Sequence, residues 1–160
     1  SNSASQPHVV DANGQDLGLL INWLPSNYLT TYNKNLNAQF LFRHTGGLTA
    51  TLESEFITVY FEQPNCAGTP FAQVDGPELN GEPLLTMRPK PVGGGFQRYF
   101  VFDFDHLPKA TRTALSRIEE TPTQCTNISS EIHPNTLLLK EISLPFSLPL
   151  AWPLRVQEEL

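Results

Sequence analysis

Short stretches of alternating apolar and polar residues, separated by turn-forming residues, indicate that this chain is mainly β. In EFITVYFEQ, residues 55–63, the apolar residues Ile57, Val59 and Phe61 recur at every second position. Successive side chains of a strand point to opposite faces, so these three side chains share one face of a predicted strand. The abundance of β-branched and aromatic residues favours the same assignment.

Further stretches extend this pattern along the chain. HVVDANGQDLGLLI, residues 8–21, places two apolar runs around Asn13-Gly14, a pair that suits the type I′ turn of a hairpin. AQFLFRH (38–44) and LTATLES (48–54) flank Gly46-Gly47 and predict a second hairpin. TLLLKEISL, residues 136–144, predicts another strand. The expected fold class is therefore mainly β, with antiparallel sheets in a sandwich-like or barrel-like arrangement.

FQRYFVFDFD, residues 96–105, is the most regular alternating stretch. From residue 100 onward, the pattern predicts one inward and one outward set of side chains. The inward set is Phe100, Phe102 and Phe104, and the outward set is Val101, Asp103 and Asp105.

One short helix is expected in PKATRTALSRIEE, residues 108–120. Pro108 suits the first helical position, and Ala110, Ala114 and Ile118 form a narrow apolar stripe at helical spacing. Pro122 would end the helix.

The apolar stretch SLPFSLPLAWPLRV, residues 143–156, carries a proline at every fourth position: Pro145, Pro149 and Pro153. Proline lacks a backbone N–H group, so this tail can form neither a helix nor a central strand. Its leucine, phenylalanine and tryptophan side chains require apolar surface to cover them. The tail is expected to lie extended either against the sheet of its own chain or across a neighbouring subunit.

The length of 160 residues suits one domain. We expect residues 1–7 to be a disordered start or a non-native remnant, and residues 8–160 to form a single β-rich C-terminal binding domain. No stretch has the length or the hydrophobicity of a membrane span, and the polar start lacks the order of a signal peptide. The net charge of −6 disfavours general nucleic-acid binding.

Six cationic residues lie between positions 88 and 117, where only Asp103 and Asp105 oppose them, so six minus two gives a local charge of +4. The six are Arg88, Lys90, Arg98, Lys109, Arg112 and Arg117. Cations in the first turn of a helix oppose its dipole, so an anion docked there would explain Lys109 and Arg112. This segment therefore predicts a polyanion site. Alternatively, the cations solubilise the surface or pair with Asp103, Asp105 and Glu120.

Motifs that carry catalysis or cofactors are absent from the sequence. His106 with Asp103 and Asp105 is the nearest approach to a cation site, although solvated or ion-paired carboxylates are the favoured interpretation. A glycan hydrolase would need an acid pair such as Asp103 and Glu131 across one cleft. We expect no enzyme activity, no metal and no cofactor.

Cys66 and Cys125 are the only two cysteines, and they fit either one disulfide or two buried thiols. Asn127-Ile128-Ser129 is an N-glycosylation sequon, which matters only in a secreted protein.

Three stretches together resemble the C-terminal globular domain of bacterial collagen-like surface proteins. They are a DxxGxxxG motif with Asp11, Gly14 and Gly18, a YFExxxCxGxP motif with Tyr60, Phe61, Glu62, Cys66, Gly68 and Pro70, and the closing proline-spaced tail. The resemblance implies a trimer, an extracellular position and recognition of sulfated glycosaminoglycans. It also implies that the tail seals subunits together, because collagen-like chains are three-stranded.

These observations predict an extracellular adhesin domain, secreted or on the cell surface. It would bind a sulfated polysaccharide through its basic segment and form a homotrimer at the end of a collagen-like stalk. Nucleic acid and a membrane span are not expected as partners. The alternative is a purely structural trimerisation cap without a ligand.

Overall fold

The structure, a computed structural model, describes residues 6–24, 28–45, 49–53, 57–74, 90–92, 98–106, 109–119 and 124–158. These residues are mainly β, as predicted. The strands are β1 (His8–Val10), β2 (Asp16–Leu24), β3 (Tyr28–Asn33), β4 (Ala38–Thr45), β5 (Thr49–Glu53), β6 (Val59–Phe61), β7 (Pro70–Gln73), β8 (Lys90–Val92), β9 (Arg98–Phe102), β10 (Ala110–Ile118), β11 (Cys125–Ile142) and β12 (Arg155–Gln157). Within the described residues, helical geometry is limited to two 3₁₀ turns, Pro64–Cys66 and Phe104–His106.

The chain divides into two compact units. Unit 1 comprises Ser1–Ser54, Leu85–Arg88 and Leu144–Leu160, and unit 2 comprises Glu55–Leu84 and Pro89–Ser143. Each unit contains one antiparallel sheet, which confirms the predicted pairing class. The single domain expected over residues 8–160 stays a prediction.

The sheet of unit 1 has the strand order β12-β1-β2-β3-β4-β5. Both predicted hairpins belong to it, because β1 pairs with β2 and β4 pairs with β5. The first turn differs from the predicted type. Among residues 11–15, which form this turn, only Gly14 has positive φ, at 86°, and its N–H donates to the Asp11 carbonyl oxygen at 2.9 Å. A turn with one left-handed residue at its end is therefore formed instead of a type I′ turn.

The tail packs on the sheet of its own chain, which is the first of the two expected alternatives. Phe146 is buried, and its ring lies 5.1 Å from the Phe40 ring and 5.5 Å from the Phe42 ring, measured between centroids. Leu150 is also buried, whereas Leu148 stays 42% exposed. After the prolines, the residues again have backbone N–H groups that can form ladder hydrogen bonds. They form β12, which pairs with β1 at the edge of the sheet.

Asp11 attaches this tail to the first turn. Its side chain is fully buried, and one carboxylate oxygen accepts hydrogen bonds from the backbone N–H groups of Asn13 and Gln15. The other oxygen accepts from the Gln15 amide and from the Ala151 N–H group, at 2.8 and 3.1 Å. The Gln15 amide also exchanges two hydrogen bonds with the backbone of Ser147. N–H donors from the first turn and from the C-terminal tail thus replace water around this buried carboxylate.

In unit 2 the strand order is β10-β6-β7-β11-β9-β8, and an additional β10–β11 pairing closes β10, β6, β7 and β11 into a ring. The long β11 makes this closure possible, since it pairs with β10 over its first part and with β7 and β9 over its second part. Val59, Phe61 and Phe100 are fully buried in the core of this unit, and Ile57 packs against them as predicted.

The prediction of a helix over residues 108–120 is wrong. The described part forms β10, which is paired with β6 on one side and β11 on the other. Ala114, Ser116 and Ile118 are buried while the residues between them are less buried, which is the period of a strand. The stripe of Ala110, Ala114 and Ile118 misled the prediction because its spacing of four is an even number and also fits a strand.

The outward assignment of Val101 and Asp103 is also wrong. Val101 is 2% exposed and Asp103 is 7% exposed, while Phe100 is fully buried. Both faces of β9 are therefore covered, and alternation alone indicates only which residues share a face.

Cys66 and Cys125 form a disulfide, and their Cα atoms lie 5.9 Å apart. The bond joins the 3₁₀ turn after β6 to the first residue of β11. Cys66 is held further by its own N–H group, which donates to the Ser116 hydroxyl at 2.9 Å. The crosslink closes a sequence separation of 59 residues within unit 2.

Replacing Asp11 by Asn should lower the free energy of unfolding of unit 1 by about 3 kcal/mol. The reason is that the N–H groups that donate to the charged carboxylate of Asp11 would lose this charged acceptor. Both tryptophans, Trp23 and Trp152, belong to unit 1, so tryptophan fluorescence in a urea titration measures this loss. Asp105→Asn, at an exposed position of unit 2, is the control. An unchanged unfolding midpoint in Asp11→Asn would contradict the proposed attachment.

The stabilisation by Asp11 should also depend on pH. Burial alone would raise the pKa of Asp11, but the hydrogen bonds from Gln15, Ala151 and Asn13 outweigh it and place the pKa below its ordinary value. A lowered pKa stabilises the folded state above the pKa of the unfolded chain, and this contribution is lost as the pH falls through the folded-state pKa. The difference in stability between wild type and Asp11→Asn should therefore begin to shrink near pH 4, about the pKa of the unfolded chain, and should disappear once the pH is below the folded-state pKa.

Removing the disulfide through Cys66→Ala together with Cys125→Ala should lower the stability of unit 2 by about 4 kcal/mol, because the unfolded chain gains loop entropy. Thermal unfolding followed by near-ultraviolet circular dichroism would measure the loss. Peptide mapping of the unreduced wild type should yield one crosslinked peptide containing both cysteines. Two alkylatable thiols in that sample would exclude the crosslink.

Candidate functional site

The predicted basic segment maps to unit 2, with one exception. Lys90 lies in β8, Arg98 in β9, and Arg112 and Arg117 in β10, while Lys109 is partly buried just before β10. Arg88 lies outside the described residues. Because β10 is a strand, the anion site expected at a helix N-terminus does not exist there, and the backbone N–H groups of β10 face its neighbouring strands.

Arg98 is held by unit 2 itself. Its Nε and one terminal nitrogen donate to both carboxylate oxygens of Glu141 at 2.9 and 2.8 Å, and the other terminal nitrogen donates to the Cys66 carbonyl oxygen at 3.4 Å. Its guanidinium carbon lies 5.1 Å from the centre of the Phe61 ring and 5.4 Å from that of Phe100. Arg98 therefore packs on the aromatic rings of the core next to the disulfide and stabilises them by cation–π contacts.

The Arg98–Glu141 pair also shifts the ionisation of both residues. The side-chain hydrogen bond from Arg98 lowers the pKa of Glu141, although its partial burial opposes this shift. The same hydrogen bond raises the pKa of Arg98 against the effect of burial. Each charge thus stabilises the other, and a polyanion would have to compete with a bidentate carboxylate for Arg98.

The two arginines of β10 also have carboxylate partners. Arg112 pairs with Glu62 at 3.0 Å, and Arg117 pairs with Glu119 at 3.4 Å and with Glu131 at 3.2 Å. These partners are not the Asp103, Asp105 and Glu120 considered in the sequence. Glu62 follows β6 and Glu131 lies in β11, so strand pairing brings the opposite charges together across long sequence separations.

Around Arg117 the structure forms a polar and aromatic cluster that the sequence did not indicate. His133 contacts the Gln73 side chain at 2.8 Å and Glu131 at 3.1 Å, and its ring centre lies 4.0 Å from that of Tyr60. Burial raises the pKa of Tyr60, and the charge of Glu131 adds to this effect. The polar groups of this cluster bind one another.

Asp103, which was considered for a cation site and for an acid pair, is engaged locally. One of its oxygens accepts from the Asp105 N–H group at 3.1 Å, and the other lies 2.7 Å from Nδ1 of His106. The other candidate acid, Glu131, is bound to Arg117 and His133. Within the described ranges, no group of three or more potential ligands could hold a metal ion.

The sequon asparagine is similarly engaged. Asn127 accepts a hydrogen bond from the Asn65 N–H group at 2.6 Å and donates to the Asn65 side-chain oxygen at 3.0 Å. Asn65 has positive φ, at 63°, and this pair of hydrogen bonds fixes the 3₁₀ turn that carries Cys66.

Unit 1 contains an open cleft that the sequence reasoning missed. Its lining includes His8 of β1, Asp16 of β2 and Tyr32 of β3, and the turn between β3 and β4 supplies Lys34 and Asn35. The sequence signal that could have indicated it is the polar run Asn33-Lys34-Asn35, which sits next to the DxxGxxxG motif only after β1, β2 and β3 pair.

Comparisons with protein-family models, with curated proteins and with solved structures found no match to this chain. A search of the residues that the structure describes found no helix with the length and hydrophobicity needed to cross a membrane.

If Arg98 supports the core, Arg98→Ala should lower the free energy of unfolding by about 2 kcal/mol, since it loses both the ring contacts and the charged hydrogen bonds. Arg98→Lys retains the charge but not the forked donors and should recover only part of the loss. Lys140→Ala, an exposed cation of the same unit, is the control. Chemical denaturation measures all three variants, and equal midpoints for Arg98→Ala and Lys140→Ala would contradict the supporting role.

Proposed function

We propose that this chain is an extracellular, non-catalytic binding domain of the adhesin type, secreted or displayed on a cell surface. The observation that carries the proposal is the Cys66–Cys125 disulfide in a β-rich unit. Structural disulfides persist mainly in oxidising environments outside the cytosol. The local engagement of Asp103 and Glu131 is consistent with a role in binding rather than catalysis.

The ligand that we propose is a sulfated polysaccharide, bound through the cations of unit 2. Arg112 and Arg117 are each about one quarter exposed, and their carboxylate partners are more exposed. Such ion pairs near the surface contribute little free energy, about 0 to 1 kcal/mol each. A polymer carrying many sulfates could therefore displace Glu62 or Glu119 at a modest cost, and repeated sites would add through avidity.

The sequence resemblance supports the proposed assembly. A domain that ends a collagen-like stalk would be trimeric, because three chains enter it together. Since the tail packs on its own sheet, the proposed trimer would have to use other surfaces of the subunit.

Heparin binding tests this ligand. The wild type should be retained on heparin at low salt, with affinity falling steeply as salt rises. The double variant Lys109→Ala with Arg112→Ala should bind about tenfold more weakly at an unchanged melting temperature, because the Arg112–Glu62 pair that it removes is partly exposed. Lys140→Ala, which lies outside the basic segment, is the control. Equal affinities of the double variant and the control would place the site elsewhere.

A second candidate function is a structural trimerisation cap without a ligand. The observation that favours it is the carboxylate pairing of Arg98, Arg112 and Arg117. Under this function, light scattering shows a trimer and heparin does not retain the protein even at low salt. The adhesin function requires retention, so one column experiment on material of known mass separates the two.

A further inference from the structure

The cleft of unit 1 lies on the face of the sheet that is turned away from the core. Strand pairing places His8 opposite Leu19 and Leu19 opposite Tyr32, so these three side chains form one row. Their chain neighbours Val9 and Thr31 point to the other face and are fully buried. The row is therefore directed outward, where His8, Leu19 and Tyr32 are only partly buried.

Polar groups lie near both ends of this row. At the β1 end, Nδ1 of His8 lies 3.0 Å from each carboxylate oxygen of Asp16, and the Gly18 N–H group donates to Asp16 at 2.9 Å. At the β3 end, Lys34 and Asn35 are exposed in the turn that follows β3. Among the described residues Lys34 has no ion-pair partner, in contrast to the arginines of unit 2.

The shape of the cleft depends on Gly18. A Cβ atom at this position would lie 2.8 Å from the Tyr32 carbonyl oxygen, and Gly18 has a φ of 113° that other residues rarely adopt. The backbone at Gly18 therefore lies close to that of β3, and no side chain from position 18 projects into the cleft. The cleft has a volume of about 180 Å³. This volume is smaller than that of pockets for drug-sized ligands, so it suits one sugar ring rather than a long ligand.

We propose that this cleft binds one carboxylated sugar residue, of the uronic acid type. Lys34 would donate to the sugar carboxylate, while Asp16 and Asn35 would bind ring hydroxyl groups. The Tyr32 ring and Leu19 would contact the apolar C–H face of the sugar. This site belongs to unit 1 and goes beyond the proposed polyanion site, since it uses none of the cations of residues 88–117.

The chemistry of the cleft discriminates between ligand classes. Asp16 is an acceptor, so it is satisfied by the hydroxyl donors of a sugar, which a bare sulfate does not offer. Lys34 has no ion-pair partner in the part of the chain that the structure describes, so a neutral sugar would leave it without a counter-charge. A ligand that combines hydroxyl groups with one negative charge satisfies both residues.

The test is a titration of the full chain, labelled with ¹⁵N, with methyl glucuronide, with methyl glucoside and with acetate, followed by amide chemical shifts at constant ionic strength. We expect methyl glucuronide to shift the amides of Gly18, Leu19 and residues 32–35 with a dissociation constant of about 1 mM, a value typical of a small single site. Methyl glucoside and acetate should each bind at least about tenfold more weakly, because each lacks one of the two features.

Variants on the exposed turn keep the test independent of folding. Lys34→Ala should weaken methyl glucuronide binding about tenfold, and Lys34→Arg should restore most of it. Arg43→Ala removes an exposed cation from β4 of the same unit and should leave the affinity unchanged.

Three results would overturn the proposal. They are the absence of saturable shifts at these amides, equal binding of methyl glucoside or acetate, and equal affinities of Lys34→Ala and Arg43→Ala. Retention on heparin does not enter these measurements, so failure of the cleft is distinguishable from failure of the polyanion proposal.

Discussion

The buried carboxylate of Asp11 is the interaction on which unit 1 depends. A charge without solvent must be surrounded by donors, and here the donors come from the first turn and from the C-terminal tail. Because Ala151 supplies one of them, the tail is fixed after its second proline, and β12 can then pair with β1. Phe146 belongs to the same tail, and its ring packs on those of Phe40 and Phe42.

The charges of unit 2 show how a local excess of cations can be neutralised by the fold. Over residues 88–117 the sequence is basic, yet strand pairing brings Glu62 and Glu131 to the arginines of β10, and Glu141 to Arg98. The cations become part of the framework as well as candidates for ligand binding. Lys34 of unit 1 shows the opposite case, a cation that has no ion-pair partner among the residues with described positions.

Much of the strand pattern could be predicted from sequence, because the period of two is a local property. The buried face of β6 with Val59 and Phe61, and the hairpin around Gly14, needed only the spacing of apolar and turn residues. The strand β10 could not be predicted in this way, since its apolar residues recur at a spacing that helix and strand share. Its pairing with β6 and β11, which lie far away in sequence, decided the outcome. The unit 1 cleft was missed for a related reason, because its walls come from three strands that are adjacent only after pairing.

The sequence by itself determined that the chain forms antiparallel β structure and that its proline-spaced tail forms neither a helix nor a central strand, because backbone geometry and the missing N–H groups of proline act locally. Only the tertiary structure decided where that tail packs, which carboxylates neutralise the arginines, and which polar residues share the cleft beside Tyr32. Burial and ion pairing are properties of distances between atoms, and those distances are set by contacts between segments that the sequence keeps far apart.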